Sequence, residues 1–253
     1  MRYFINLSYL GTPFHGWQCQ PNAISVQEVL EEALSTVLRT PIKVTGAGRT
    51  DTGVHARLMV AHFDADVPEE LQDNLVYLIN QYLNFDIVIH SVVAVKSDAH
   101  ARFDATWRTY EYHIDANKNP FSQGLTYYVR DVLDLEKMNE AAQLMQTFKD
   151  FEAFSKIHTE VKTFFCDIQH AQWVPKEGGY VFTITANRFL RNMVRAIVGT
   201  LLDVGTGKIT IAAFGEIIKS KKRSNAGLSV PAQGLYLTNI QYPKETYYIN
   251  GKS

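Results

Sequence analysis

The chain has 253 residues, 46% of them hydrophobic and 20% charged, with a formal net charge of -1. That length buries a substantial core in one large domain or two ordinary ones, and the composition excludes long disordered arms. Cys19 and Cys166 are the only cysteines, which excludes a disulfide framework and a paired-cysteine zinc site, and no stretch approaches membrane-spanning length. Met1-Arg2-Tyr3-Phe4-Ile5-Asn6 enters an alternating pattern without a charged leader, so a reducing cytoplasm is the expected location.

Tyr3 to Tyr9 alternates with the two-residue period of a strand. Ser25 and Glu28 form a capping-box pair ahead of Val26, Val29, Leu30, Ala33, Val37 and Leu38, whose spacing predicts a helix ending near Thr40-Pro41. A short strand at Ile42 to Thr45, a strand-like run Leu58 to Phe63, a helix opened by Pro68 as its first residue and a strand at Ile87 to Val95 complete a βαββαβ order. Leu71, Leu75, Leu78, Ile79 and Tyr82 form the apolar stripe of that second helix. The second half repeats the plan: strand Thr109 to Ile114, helix Asp134 to Phe148, strands Phe164 to Val174 and Tyr180 to Ala186 joined at Gly178-Gly179, helix Leu190 to Leu202, a short helix Ile211 to Ser220, and strand Leu235 to Tyr242. The expected fold is α+β: two ferredoxin-like, RRM-like halves with mainly antiparallel sheets flanking a central catalytic cleft. The expected boundaries are 1–105, 106–243 and a tail at 244–253.

Charge is uneven. Residues 1–116 carry 8 Lys and Arg against 14 Asp and Glu, net -6, whereas residues 117–253 carry 17 against 12, net +5. An anionic partner therefore suits the second half better.

Gly46-Ala47-Gly48-Arg49-Thr50-Asp51-Thr52-Gly53-Val54-His55-Ala56 lies between two predicted strands, so it forms a loop at a sheet end, where function concentrates. By residue chemistry alone Asp51 reads as an Asx-type turn beside Arg49. A dinucleotide loop fails, because Gly53 falls five residues after Gly48 and a strand-like run follows in place of a helix.

Gly48-Arg49-Thr50-Asp51-Thr52-Gly53-Val54-His55-Ala56 resembles the Gly-Arg-Thr-Asp-x-Gly-Val-His-Ala signature of the TruA family of tRNA pseudouridine synthases. Four further segments match that family in order: Tyr9 to Gln18, Ala101 to Tyr112, Phe189 to Leu201, and Pro231 to Leu235. The resemblance implies a homodimeric enzyme, without cofactor or metal, that isomerises uridine to pseudouridine at positions 38, 39 and 40 of the tRNA anticodon stem-loop. It implies Asp51 as the catalytic carboxylate, acting at the ribose anomeric carbon, at uracil C6, or on a ribose proton. Arg49 is expected to pair with Asp51, Tyr110 to stack on the flipped base, Leu235 to close the pocket, and His55 to contact substrate.

Arg188, Arg191 and Arg195, three and four residues apart, are expected on one face of the Leu190 to Leu202 helix, and Lys219, Lys221, Lys222 and Arg223 form a second basic cluster. Both suit phosphate contacts, although a solvated helix face and a helix C-terminus read the same way. His15, His55 and His62 lack the i, i+4 spacing of a zinc helix. Phe14 and Trp17 read as packing. Two rivals remain: an RNA-binding module without catalysis, which leaves Arg49-Thr50-Asp51 without a purpose, and a hydrolase of small nucleosides using the same carboxylate.

Overall fold

A computed structural model describes residues 1–156 and 162–247 of the chain. The fold is mixed α/β, with strands that pair mainly antiparallel. It divides into two compact units, residues 1–107 with 237–253, and residues 108–236.

The first unit runs β1 (Arg2–Tyr9), α1 (Val26–Leu38), β2 (Thr45–Gly46), β3 (His55–Asp64), α2 (Glu69–Gln72), α3 (Leu75–Tyr82) and β4 (Ile87–Val95). β1 is central, paired antiparallel with β3 through Tyr3↔Phe63 and with β4 through Tyr3↔Ala94, while β2 pairs with β3. Helix α1 starts where expected: the Ser25 side chain accepts from the Glu28 N–H at 3.2 Å, and Arg39 ends the helix in the left-handed region at φ 54°. Its buried stripe is Val26, Leu30, Ala33, Leu34 and Leu38. Each valine or leucine of the stripe contributes about 1.5–3 kcal/mol by leaving water, and Ala33 less.

Two expectations in this unit are corrected. Ile42 to Val44 is not strand, and only Thr45–Gly46 pairs. Buried Glu31 of α1 takes the partner's place, accepting from the Val44 N–H at 3.1 Å and pairing with Lys43 at 2.7 Å, while Gln27 donates to the Val44 carbonyl. The helix opened by Pro68 is two short helices broken at Asp73-Asn74, with Pro68 as N-cap and only Leu75 and Ile79 of the predicted stripe fully buried.

The second unit contains β5 (Trp107–Asp115) from Arg108 on, β6 (Tyr127–Tyr128), α4 (Leu135–Leu144), β7 (Ile168–Lys176), β8 (Gly179–Ala186), α5 (Met193–Gly205) and α6 (Ile211–Ser220). Strand β8 lies between β5 and β7, antiparallel to both. Gly178 turns the β7–β8 hairpin at φ 72°, and a Cβ on Gly179 would stand 2.0 Å from the Ile114 carbonyl oxygen. The strand expected from Phe164 starts only at Ile168, although Phe165 bridges to Asp150.

Strand β9 (Leu235–Gln241) passes to the first unit from Leu237 onward, where it pairs with β3. The tail expected from residue 244 is partly packed: Thr246 is buried, its carbonyl accepts from Lys96 N–H, Tyr247 bridges to Val95, and Phe4 meets the rings of Tyr242 and Tyr247. Residues 248–253 of that tail lie outside the described residues.

Candidate active site

The Asp51 loop connects β2 to β3, and its backbone is held at both ends. The Thr50 carbonyl accepts from the Trp17 N–H at 3.2 Å, and the Thr50 hydroxyl meets the Tyr9 hydroxyl at 2.8 Å in a buried contact. Past Asp51, the Val54 N–H donates to the Asp51 carbonyl at 3.1 Å, closing a turn in which Gly53 sits at φ 78°. Ala47 is tied to Val60 at 2.7 Å. Asp51 itself is half-buried.

Arg49 is exposed and, among the described residues, makes no ion pair with Asp51. The expected pairing between these two residues is therefore not seen, and an exposed guanidinium gains little from a surface ion pair in any case. His55 is 1% exposed, and its Nδ1 accepts from the Gly11 N–H at 2.9 Å. A backbone amide only donates, so Nδ1 is the unprotonated ring nitrogen in this contact. The imidazole expected to touch substrate is here a strut between two loops.

The residues that hold this loop come from the family-matching segment Tyr9 to Gln18, of which Phe14 and Trp17 read from the sequence as packing. The Trp17 carbonyl and the Gly16 carbonyl accept from Gln27 and Val26 at the start of α1. Trp17 is 2% exposed, and a Cβ on Gly46 would stand 2.5 Å from its ring. The visible signal was an aromatic and glycine-rich run of family-matching residues directly after a strand; its contact with the Thr50 region, some thirty residues on, was not visible.

In the second unit, Tyr110 is half-buried on β5 opposite Ile184, and Phe189 meets its ring edge-on with centroids 5.1 Å apart. Such an edge-to-face contact fixes the orientation of both rings. Leu235 is 6% exposed at the start of β9. The basic helix face is corrected. Asn192 caps α5 in the left-handed region at φ 65°, so Arg188 and Arg191 precede the helix and only Arg195 lies on it. Arg195 Nε donates to the Val230 carbonyl at 2.7 Å, while Arg191 is exposed.

The second basic cluster is largely engaged internally. Lys219 pairs with Glu216 at 2.8 Å and Lys221 with Asp150 at 2.7 Å, and Arg223 donates to the Ala226 and Gly227 carbonyls and to Ser229. Only Lys222 of the four keeps an exposed cation with no ion pair among the described residues. Burial pushes the Cys166 thiol up to about 12 against the opposing charge of Arg188, which makes it a packing group beside Met193 and not a nucleophile. Among the described residues no three His, Cys, Asp or Glu side chains gather as metal ligands, and no helix is long and apolar enough to cross a membrane.

The sequence profile described as tRNA pseudouridine synthase matches residues 6–104 and 141–243. The chain belongs to the tRNA pseudouridine synthase family. It is thereby an RNA pseudouridylate synthase, an isomerase. Among the family's members, tRNA pseudouridine synthase A of Bacteroides fragilis is 53% identical over 247 residues, covering 97% of this chain and 98% of the relative. The protein of the same name from Porphyromonas gingivalis is 54% identical over 250 residues, covering 97% and 99%. The one from Aliivibrio salmonicida is 39% identical over 249 residues, covering 97% and 94%. The matched regions include the Asp51 loop and the segment Tyr9 to Gln18 that holds it.

Proposed function

We propose that this enzyme converts uridine to pseudouridine in tRNA, at positions 38, 39 and 40 of the anticodon stem-loop, with Asp51 as its catalytic carboxylate. One observation carries the assignment of Asp51: a half-buried carboxylate stands on a loop whose backbone is fixed on both sides, within the family's signature segment. The reaction breaks the bond from uracil N1 to the ribose anomeric carbon and forms one from C5 to that carbon, the C5 proton leaving and N1 gaining one. No atoms are gained and no oxidant is needed, so a single carboxylate suffices to stabilise the electron-poor sugar carbon or to add to the base.

Tyr110, its ring orientation set by Phe189, is the residue we assign to the flipped base, with Leu235 as an apolar contact. Arg49, Arg188, Arg191 and Arg195 are assigned to the RNA, with Arg49 and Arg191 offering exposed guanidinium groups. The element order of the first unit, βαββαβ with its second helix broken, supports a ferredoxin-like half, and β5 to β9 support a second one. A cytoplasmic homodimer is the assembly this reading carries.

The test is pseudouridine formation in unmodified tRNA transcripts, mapped by position, for wild-type protein and Asp51→Asn. The expected outcome is product at the three anticodon-arm positions with wild type and a rate at least about 10³-fold lower with the variant, tRNA binding being retained. Equal rates would remove Asp51 from the chemistry, and product elsewhere in the tRNA would overturn the positional assignment.

A further inference from the structure

We propose that the buried hydroxyl pair Tyr9–Thr50 is a positioning device that sets where the Asp51 carboxylate stands, making Tyr9 and Thr50 positioning residues of the reaction. The inference rests on the assignment of Asp51 as the catalytic group.

Tyr9 ends β1 and is 4% exposed; Thr50, directly before Asp51, is 9% exposed. Their hydroxyl oxygens are 2.8 Å apart. A buried neutral hydroxyl pair adds only about 1 kcal/mol net, and apolar groups of the same shape serve stability nearly as well. What such a pair supplies is direction. Thr50 is β-branched, so holding its Oγ1 selects one rotamer and, with it, the orientation of the backbone at that residue.

The other contacts close off the remaining freedom. The Thr50 carbonyl is held by the Trp17 N–H and lies against Gly16, where a Cβ would come within 2.4 Å of its oxygen. Tyr9 also pairs with Ala56 in the β1–β3 ladder, just past the turn that Asp51 and Val54 close. One residue of β1 therefore grips the loop on both sides of Asp51, through its hydroxyl before the carboxylate and through its backbone after it. The Tyr9 ring is in turn set against Trp17 with centroids 6.1 Å apart, and Trp17 is seated where Gly46 leaves room. Asp51 thus stands between two backbone points that are both fixed. A displacement of a reacting group by about 1 Å costs about 10²-fold in rate, so a small slackening of this tether is readable in the chemical step.

The experiment compares wild type, Tyr9→Phe, Thr50→Val, Thr50→Ser and Asp51→Asn in single-turnover pseudouridine formation with tRNA saturating, alongside tRNA affinity and thermal melting. Tyr9→Phe and Thr50→Val are expected to lower the single-turnover rate by about tenfold or more, with tRNA affinity changed by less than about twofold and the melting temperature nearly unchanged. Thr50→Ser, which keeps the hydroxyl, is expected to restore most of the rate. Wild-type rates in Tyr9→Phe and Thr50→Val beside an inactive Asp51→Asn would overturn the tether while leaving Asp51 in place. A rate loss matched by a fall in melting temperature and not restored by Thr50→Ser would reduce the pair to packing and overturn it too. An active Asp51→Asn would remove the reading on which the tether depends.

Discussion

Gly16 carries φ 88° and faces the Thr50 carbonyl so closely that a methyl group there has no room. Gly16→Ala combines left-handed backbone strain with a collision against backbone, and the expected cost is about 1–3 kcal/mol in urea unfolding, with a slower chemical step because Thr50 must move. An unchanged unfolding midpoint and rate would contradict that packing. His62 supplies a second test at this scale. Burial, the His100 ring 4.6 Å away and the charge of Arg2 push its imidazole down to about 4, against weaker opposition from Asp64 and Asp104. Its Nδ1 accepts from Ala101 N–H, which suits the neutral ring. The unfolded chain takes up this proton near pH 6.5 and the folded one only near pH 4, so stability is full above about 6.5 and falls across that window by up to about 3 kcal/mol. Between about pH 7.5 and about pH 5, wild type should lose more stability in urea melts than His62→Gln, which keeps an acceptor for Ala101; equal losses would assign the pH dependence elsewhere.

At the scale of elements, α5 changes what the arginines can do. Spacing of three and four suits a helix, yet Asn192 at φ 65° delays the start of α5 until Met193. Asparagine tolerates the left-handed region better than most residues, and here its Nδ2 donates to the distant Ser229 hydroxyl. Arg191 is thereby exposed ahead of the helix, whereas Arg195 ties α5 to the carbonyl of Val230. Arg191→Glu is expected to weaken tRNA binding and reduce the salt slope by about 1, while Arg195→Glu, which loses the bond to the Val230 carbonyl, should in addition cost about 1–3 kcal/mol of stability. Identical effects of the two on stability would refute the difference in role. Strand and helix existence was legible here because period and caps are local: Ser25 and the stripe of α1 announce that helix unaided. Ile42 to Val44 was misread as strand because its hydrogen-bond partner is a side chain, Glu31, on a preceding helix.

For the molecule as a whole, the division of the chain shifts the charge balance. The unit containing residues 1–107 and 237–253 has 9 Lys and Arg against 13 Asp and Glu, net -4, and residues 108–236 have 16 against 13, net +3. Residues 237–247 complete the first unit, in which Tyr247 covers Phe4 and bridges to Val95. Tyr247→Ala is therefore expected to cost roughly 1–3 kcal/mol and lower the melting temperature by several degrees, although the residue lies at the far end of the chain from Phe4. A melt indistinguishable from wild type would mean that this return contributes nothing to the first unit.

The amino-acid sequence by itself determined the alternating strands, the capped helices and the Gly-Arg-Thr-Asp segment, because each depends on residues within a few positions of one another. Tertiary structure alone decided that Tyr9, Gly16 and Trp17 hold Thr50, that His55 is an internal strut, that Arg191 and Arg195 have separate surroundings, and that the last strand returns to the first unit. Those outcomes depend on contacts between residues far apart in the chain, where close packing and directional hydrogen bonds choose among conformations that local propensity leaves nearly equal in energy.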